Sequence, residues 1–156
     1  MTSDGQRRSK LINLLHRHPA APIIIFVNLK ADVEFLQDLL TRNGKSVTSY
    51  HGGKTQEQRE KGLNALRNGQ ADVLVCTNVA ARGIDIDGVA HVINYNAPGT
   101  IIDYVHRIGR TGRAGAKGMA TTFVNLEKDE GILYDLKKYL LENEQTVPNE
   151  LSNCVS

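Results

Sequence analysis

The chain, 156 residues long, predicts an α/β fold built on a mostly parallel central sheet. Two observations carry that expectation. Short apolar runs rich in β-branched residues alternate with segments whose apolar residues recur at helical spacing. The runs are continuously apolar, as in Ile23-Ile24-Ile25-Phe26-Val27, and strands of that kind are buried on both faces. Strands separated by amphipathic helices form βαβ units with right-handed crossovers.

Each element has its own local reason. From Gln6 to His18, Leu11, Ile12, Leu14 and Leu15 share a helical face, and Pro19 and Pro22 end the helix. Ile23–Val27 is the first strand, bounded by Pro22 and Asn28. Val33, Phe35, Leu36, Leu39 and Leu40 repeat in helical period over 31–43, and Gly44 closes that helix. Ser46 to Tyr50 is a second strand. Thr55 caps a third helix, with Gln58 three positions on as in a capping box, and Gly69 ends it. Asp72–Thr77 is a third strand, followed by a glycine-containing turn at Ala81-Arg82-Gly83. Val89 to Tyr95 is a fourth, with a loop at Asn96-Ala97-Pro98-Gly99. Thr100 caps a helix over Ile101–Ile108. Gly118 to Val124 is a fifth strand. Glu130 to Leu141 is a last helix, with Ile132, Leu133, Leu136, Tyr139 and Leu140 on its apolar face. Beyond Glu142 the chain turns polar and is expected to fray. The length suits one domain, assigned to residues 1–144, with a polar tail at 145–156.

Bulk properties narrow the function classes. A formal net charge of +2 is too small for a general polycation, so any nucleic-acid or phosphate surface is a local patch. The two cysteines, Cys76 in an apolar run and Cys154 in the tail, form no CxxC pair and no disulfide framework. A reducing, intracellular compartment fits them. No apolar stretch approaches the length of a membrane span, and no metal site is expected.

The motifs are rich in arginine and glycine. His106-Arg107-Ile108-Gly109-Arg110-Thr111-Gly112-Arg113 places three arginines within eight residues. The arginine fork matches phosphate geometry. Ligands on parallel sheets bind outside the carboxyl ends of the strands. Asn28, His51-Gly52-Gly53, Thr77 to Asp85, Asn96 and the loop bearing Arg110 and Arg113 are therefore expected to converge on one edge. His51-Gly52-Gly53-Lys54-Thr55 suggests a phosphate loop, but that motif needs a glycine five residues before its Gly-Lys pair, and Thr48 stands there. The chain carries phosphate-facing arginines without a lysine loop or a magnesium carboxylate. No GxGxxG dinucleotide loop is present.

Taken together, these residues resemble DEAD-box RNA helicases. Thr77-Asn-Val-Ala-Ala-Arg-Gly-Ile-Asp85 is similar to their motif V and His106–Arg113 to their motif VI. Ile24–Asn28 resembles motif IV and Gln56-Glu-Gln-Arg59 the QxxR element. Asn78 and Asn96 stand where that family more often has aspartate. The resemblance covers the C-terminal RecA-like domain, a three-layer αβα fold. The other half of such an enzyme carries the P-loop and the Asp-Glu-Ala-Asp motif, so this half alone is expected to be inactive. Within the family, His51–Glu60 and the tail near Leu136–Leu151 look most like the pre-mRNA-splicing member.

The resemblance implies roles. Arg110 and Arg113 reach the ATP γ-phosphate, with Arg113 the arginine finger; Asp85 contacts the ribose, and Gly83 belongs to the ATP-binding set. His106 couples the cleft to the acidic motif of the N-terminal domain. Gly52, Gly53, Gln56, Arg59, Thr77 and Arg82 lie along the RNA backbone. ATP and Mg2+ serve the full-length enzyme, with Mg2+ held by the N-terminal RecA-like domain, which is itself a partner. RNA is bound without regard to sequence. Spliceosomal proteins and a nuclear location follow if the splicing resemblance holds, otherwise the cytoplasm. Two other readings stay open: a non-catalytic RNA- or protein-binding module on the same fold, and an independent nucleotide-binding enzyme.

Overall fold

The structure is a computed structural model that describes residues 4–78, 86, 88–111, 118–148 and 151. The elements run α1 (Asp4–Arg17), β1 (Ile23–Val27), α2 (Lys30–Arg42), β2 (Val47–Tyr50), α3 (Gln56–Arg67), β3 (Val73–Thr77), β4 (His91–Asn94), α4 (Ile101–Ile108), β5 (Met119–Thr122) and α5 (Glu130–Glu142). The sheet has five strands in the order β2-β3-β1-β4-β5. Every pairing is parallel, with Ile23 beside both Val73 and His91. The predicted α/β class and parallel sheet are both present.

Strand residues alternate between the two faces of the sheet. Ile23, Ile25, Val27, Val73, Val75 and Ile93 join Leu11, Leu14 and Leu15 of α1 and Val33, Leu36 and Leu40 of α2 in one core. Ile24, Phe26, Leu74, Cys76 and Val92 meet Leu63 and Leu66 of α3 in the other. This is why β1 and β3 read as unbroken apolar runs: all five residues of each are buried. Burial pushes the Cys76 thiol pKa well above its ordinary value. Cys154 lies outside the described residues.

The local signals hold at the helix ends. Thr55 Oγ1 accepts from the Gln58 N–H at 3.1 Å, and Gln58 Oε1 accepts from the Thr55 N–H at 2.9 Å. Gly44 and Gly69 follow α2 and α3 at φ +81° and +75°, a region side-chain-bearing residues avoid. Gly62 serves packing instead. A Cβ there would stand 2.8 Å from Thr48 Oγ1 and 3.0 Å from the Ser49 carbonyl oxygen, so α3 lies close on β2.

Several boundaries shift by one or two residues from the sequence reading, and two differences have a packing cause. β4 is shorter than Val89–Tyr95, because Val89 pairs with Thr111 rather than with a strand. The segment after α5 does not simply fray. Val147 and the buried Leu151 pack on a third cluster of Tyr104, Val124, Ile132, Leu133 and Leu136. Two apolar residues in a polar stretch suffice, because α4, α5 and β5 leave an apolar groove for them.

Candidate functional site

The carboxyl edge of the sheet carries a turn held by one histidine. His51 follows β2 and is buried. Its Nδ1 accepts from the Gly53 N–H at 3.0 Å, which leaves the ring proton on Nε2. Nε2 donates to Glu34 Oε1 at 2.7 Å, and Lys54 Nζ lies 3.7 Å from the same oxygen. The hydrogen bond from His51 is the main reason the Glu34 carboxyl sits below its ordinary pKa. A Cβ on Gly53 would come within 2.9 Å of His51 Cε1, so this position needs glycine for steric reasons. The Lys30 side chain also packs here, its Cδ within 3.7 Å of that same built position. Lys30 opens α2, and sequence reasoning passed over it because it matches no motif.

Gly52 and Gly53 lead into the capped N-terminus of α3. Helix N-termini present unpaired N–H groups and a partial positive charge to anions. Gln56 is exposed there and its Nε2 donates to Glu60 Oε1 at 3.0 Å. Arg59 lies one turn on, with Cζ 5.8 Å from the Tyr50 ring centroid. Its buried Nε has no hydrogen-bond partner among the described residues. Thr77 ends β3 on the same edge and is 6% exposed, so only a small part of it reaches the surface.

The main residue that sequence reasoning missed is Arg107. It sits in the arginine-rich motif but was given no role. The structure buries it to 1% exposure, with Cζ 5.3 Å from the Phe26 ring centroid. Its Nη2 donates to Asn28 Oδ1 at 2.8 Å and its Nε to Asn78 Oδ1 at 3.0 Å. Its Nη1 donates to Asn96 O at 2.9 Å and to Asn94 Oδ1 at 3.3 Å. One guanidinium thus joins the ends of β1, β3 and β4. Burial pulls its pKa down to about 10, against the opposing influence of Cys76 and Asp103, so it stays a cation at neutral pH. A cluster of asparagines after strands was the available signal, since each such residue ends a strand with a spare acceptor.

The arginine turn itself lies elsewhere than expected. The Val89 N–H donates to the Arg110 carbonyl at 3.0 Å, and Val89 precedes the first residue of β4. Thr111 Oγ1 also donates to the Val89 carbonyl. Arg110 is therefore fastened at the amino flank of the sheet, away from the edge where Gly52, Gly53 and Thr77 stand. The physical reason is connectivity. Those residues sit in turns from strand to helix, at the carboxyl ends, whereas Arg110 follows a helix that has already returned toward the amino ends. His106 is exposed on α4 beside exposed Ile102 and Val105, so it is not a core histidine. Arg82, Gly83, Asp85 and Arg113 lie outside the described residues.

The helicase conserved C-terminal domain family matches residues 6–115. DEAD-box ATP-dependent RNA helicase 21 of Oryza sativa subsp. japonica is 48% identical over 152 residues, which cover 97% of this chain and 20% of that protein. The RNA helicase Prp28 from Chaetomium thermophilum, solved bound to ADP, is 45% identical with a TM-score of 0.88, over 97% of this chain and 38% of that one. The yeast DEAD-box splicing factor Prp28 is 36% identical with a TM-score of 0.89, over 98% of this chain and 34% of that one. The chain thus spans about a fifth of the curated relative's length. A family match across most of the chain, together with this likeness of fold and sequence, shows that the chain belongs to the helicase conserved C-terminal domain family, as a RecA-like domain of the DEAD-box RNA helicase kind.

Proposed function

We propose that this domain, within a full-length DEAD-box helicase, supplies the arginines that act on ATP and part of the groove that holds the RNA backbone. The observation that carries this reading is the division of labour on one sheet. Strand-to-helix turns with glycines and a capped helix N-terminus occupy the carboxyl edge, and the Arg110 turn is fastened at the amino flank. The first surface suits RNA phosphates, through Gly52, Gly53, Gln56, Arg59, Thr77 and Arg82. Its contacts are to backbone, so binding is independent of sequence.

The second surface suits a polyphosphate. Guanidinium groups pair with phosphate oxygens and do not ligate metal cations. Arg110 and Arg113 would meet the γ-phosphate of ATP, with Arg113 the finger, and Asp85 and Gly83 would contact the nucleoside side. Mg2+ would be held by the N-terminal RecA-like domain. His106, exposed on α4, would face that domain. A finger on a separate domain makes hydrolysis conditional on closure. Splicing is the process this reading favours, from the likeness to a DEAD-box splicing factor; spliceosomal partners and a nuclear location go with it.

RNA-stimulated ATP hydrolysis by the full-length protein tests this. An arginine finger contributes roughly 10³–10⁵ in rate, about 4–7 kcal/mol. Arg113→Ala is expected to remove at least the lower part of that, and Arg110→Ala to lower turnover as well. A folded Arg113→Ala protein with undiminished turnover would take Arg113 out of the role.

A further inference from the structure

We infer that Arg107 is a positioning residue that links the RNA-facing strand ends to the arginine turn, and that its bond to Asn78 transmits RNA occupancy across the domain. This deepens the reading just given and rests on it. Helix side chains tilt back toward the helix N-terminus. Arg107 therefore has its backbone near the end of α4 while its guanidinium reaches the carboxyl edge. At the backbone end, the Arg110 N–H donates to the Arg107 carbonyl at 3.4 Å. At the guanidinium end, Nε donates to Asn78 Oδ1 at 3.0 Å. Asn78 directly follows Thr77, the residue of β3 placed on the RNA surface. One side chain thus spans the distance between the two surfaces.

The character of the bonds makes the link adjustable. All four acceptors are neutral amide oxygens, on Asn28, Asn78, Asn94 and Asn96. No carboxylate is hydrogen-bonded to Arg107 among the described residues. Asn94 lies in β4, which the sheet ladder holds beside β1, and its Nδ2 donates to Thr122 Oγ1 at 3.0 Å; Asn28 stands one residue beyond β1. Asn28 is tied further, its Nδ2 donating to the Ala97 carbonyl at 3.2 Å and its N–H to Asn96 Oδ1 at 2.9 Å. Asn78 likewise stands one residue beyond β3, but its side chain makes no other hydrogen bond among the described residues. A phosphate drawing the end of β3 outward would move Asn78 Oδ1 against Nε, and Arg107 would carry that shift to Arg110.

The test uses the full-length protein, with ATP hydrolysis measured with and without saturating single-stranded polyuridine. The quantity read is the stimulation ratio. Asn78→Ala removes the link to β3 and leaves the other three bonds. It is expected to cut the ratio by about tenfold, within the usual range of coupling between sites, in a protein that still folds but melts at a lower temperature because Nε is left unpaired. Asn78→Asp keeps an acceptor for Nε and is expected to restore the ratio. Arg107→Lys keeps the charge but cannot serve three strand ends at once, so it should lower the ratio too. A purely structural network would depress basal and stimulated rates together and leave the ratio intact, which overturns the inference. Wild-type protein without RNA-stimulated hydrolysis would overturn the function proposed above, and this inference with it. Wild-type stimulation matched by Asn78→Ala would overturn the inference alone.

Discussion

Each end of the sheet buries a basic side chain, and the two meet different fates. At the carboxyl end Arg107 is 1% exposed and at the amino end His91 is 2% exposed. Arg107 donates to four oxygens and keeps its charge with a pKa near 10. His91 has one partner, Thr121 Oγ1 at 2.9 Å from Nε2. Its Nδ1 has none among the described residues, and the His18 ring stands edge-on at 6.0 Å. Burial, helped by His18, drives the His91 pKa down to about 4, so the ring is neutral. Burial lowers both pKa values by a similar amount, so the intrinsic gap between guanidinium and imidazole decides which one stays charged. The oxygens that converge on Arg107 answer a different need, pairing a buried group that cannot shed its charge.

The strongest way to break the contrast is Arg107→Met. Methionine fills much of the space but donates nothing, so the four oxygens lose their shared donor. Each buried polar group left without a partner costs about 1–3 kcal/mol, and partial rehydration at the edge lowers the sum. A loss of about 4 kcal/mol is expected, read as a lower midpoint in urea unfolding with an unchanged slope. A loss below about 1 kcal/mol would mean that the network contributes little and that water replaces it freely.

At the other end the lever is pH. The folded-state pKa of His91 is about 4, below its ordinary value of 6.5. Between those values the unfolded chain takes up a proton that the folded one refuses. Stability from the neutral ring is present above about pH 6.5 and is lost as pH falls toward 4, up to about 3 kcal/mol in all. His91→Phe should flatten that part of the stability curve, measured by urea unfolding at a series of pH values. Arg107 titrates far above this window, so its variants should leave the acid slope alone. An identical slope in His91→Phe would assign the acid sensitivity to other groups.

How much of this was legible in the residues depends on how far apart the partners lie. The capping box joins residues three apart, and Thr55 and Gln58 announce it. The buried strands show in unbroken apolar runs, and the resemblance to DEAD-box helicases stands on motifs read in order. Arg107 is different. Its partners lie from 11 to 79 positions away, and Asn28, Asn78 and Asn94 have no pattern in common until the parallel register aligns their strand ends. The place of Arg110 was lost for a related reason. The carboxyl-end rule holds for turns from strand to helix, and Arg110 follows a helix, where the chain has already crossed back. His91 shows in the sequence only as part of a strand, since no local signal distinguishes a buried neutral histidine from an exposed one.

The smallest effect sharpens the same lesson at the same edge. Thr55 and Gln58 exchange two hydrogen bonds, as geometrically sound as those of Arg107, but both residues are exposed. Water can take the place of a lost partner there, so the penalty for an unmade bond largely disappears. Thr55→Ala is therefore expected to cost only about 1 kcal/mol, the usual value of an N-cap. It should also fray the turn that carries Gln56 and Arg59, lowering RNA affinity modestly while basal ATP hydrolysis stays unchanged. Amide exchange in the first turn of α3 would show the fraying directly. If Thr55→Ala cost as much as Arg107→Met, burial would not decide what a lost hydrogen bond costs at this edge.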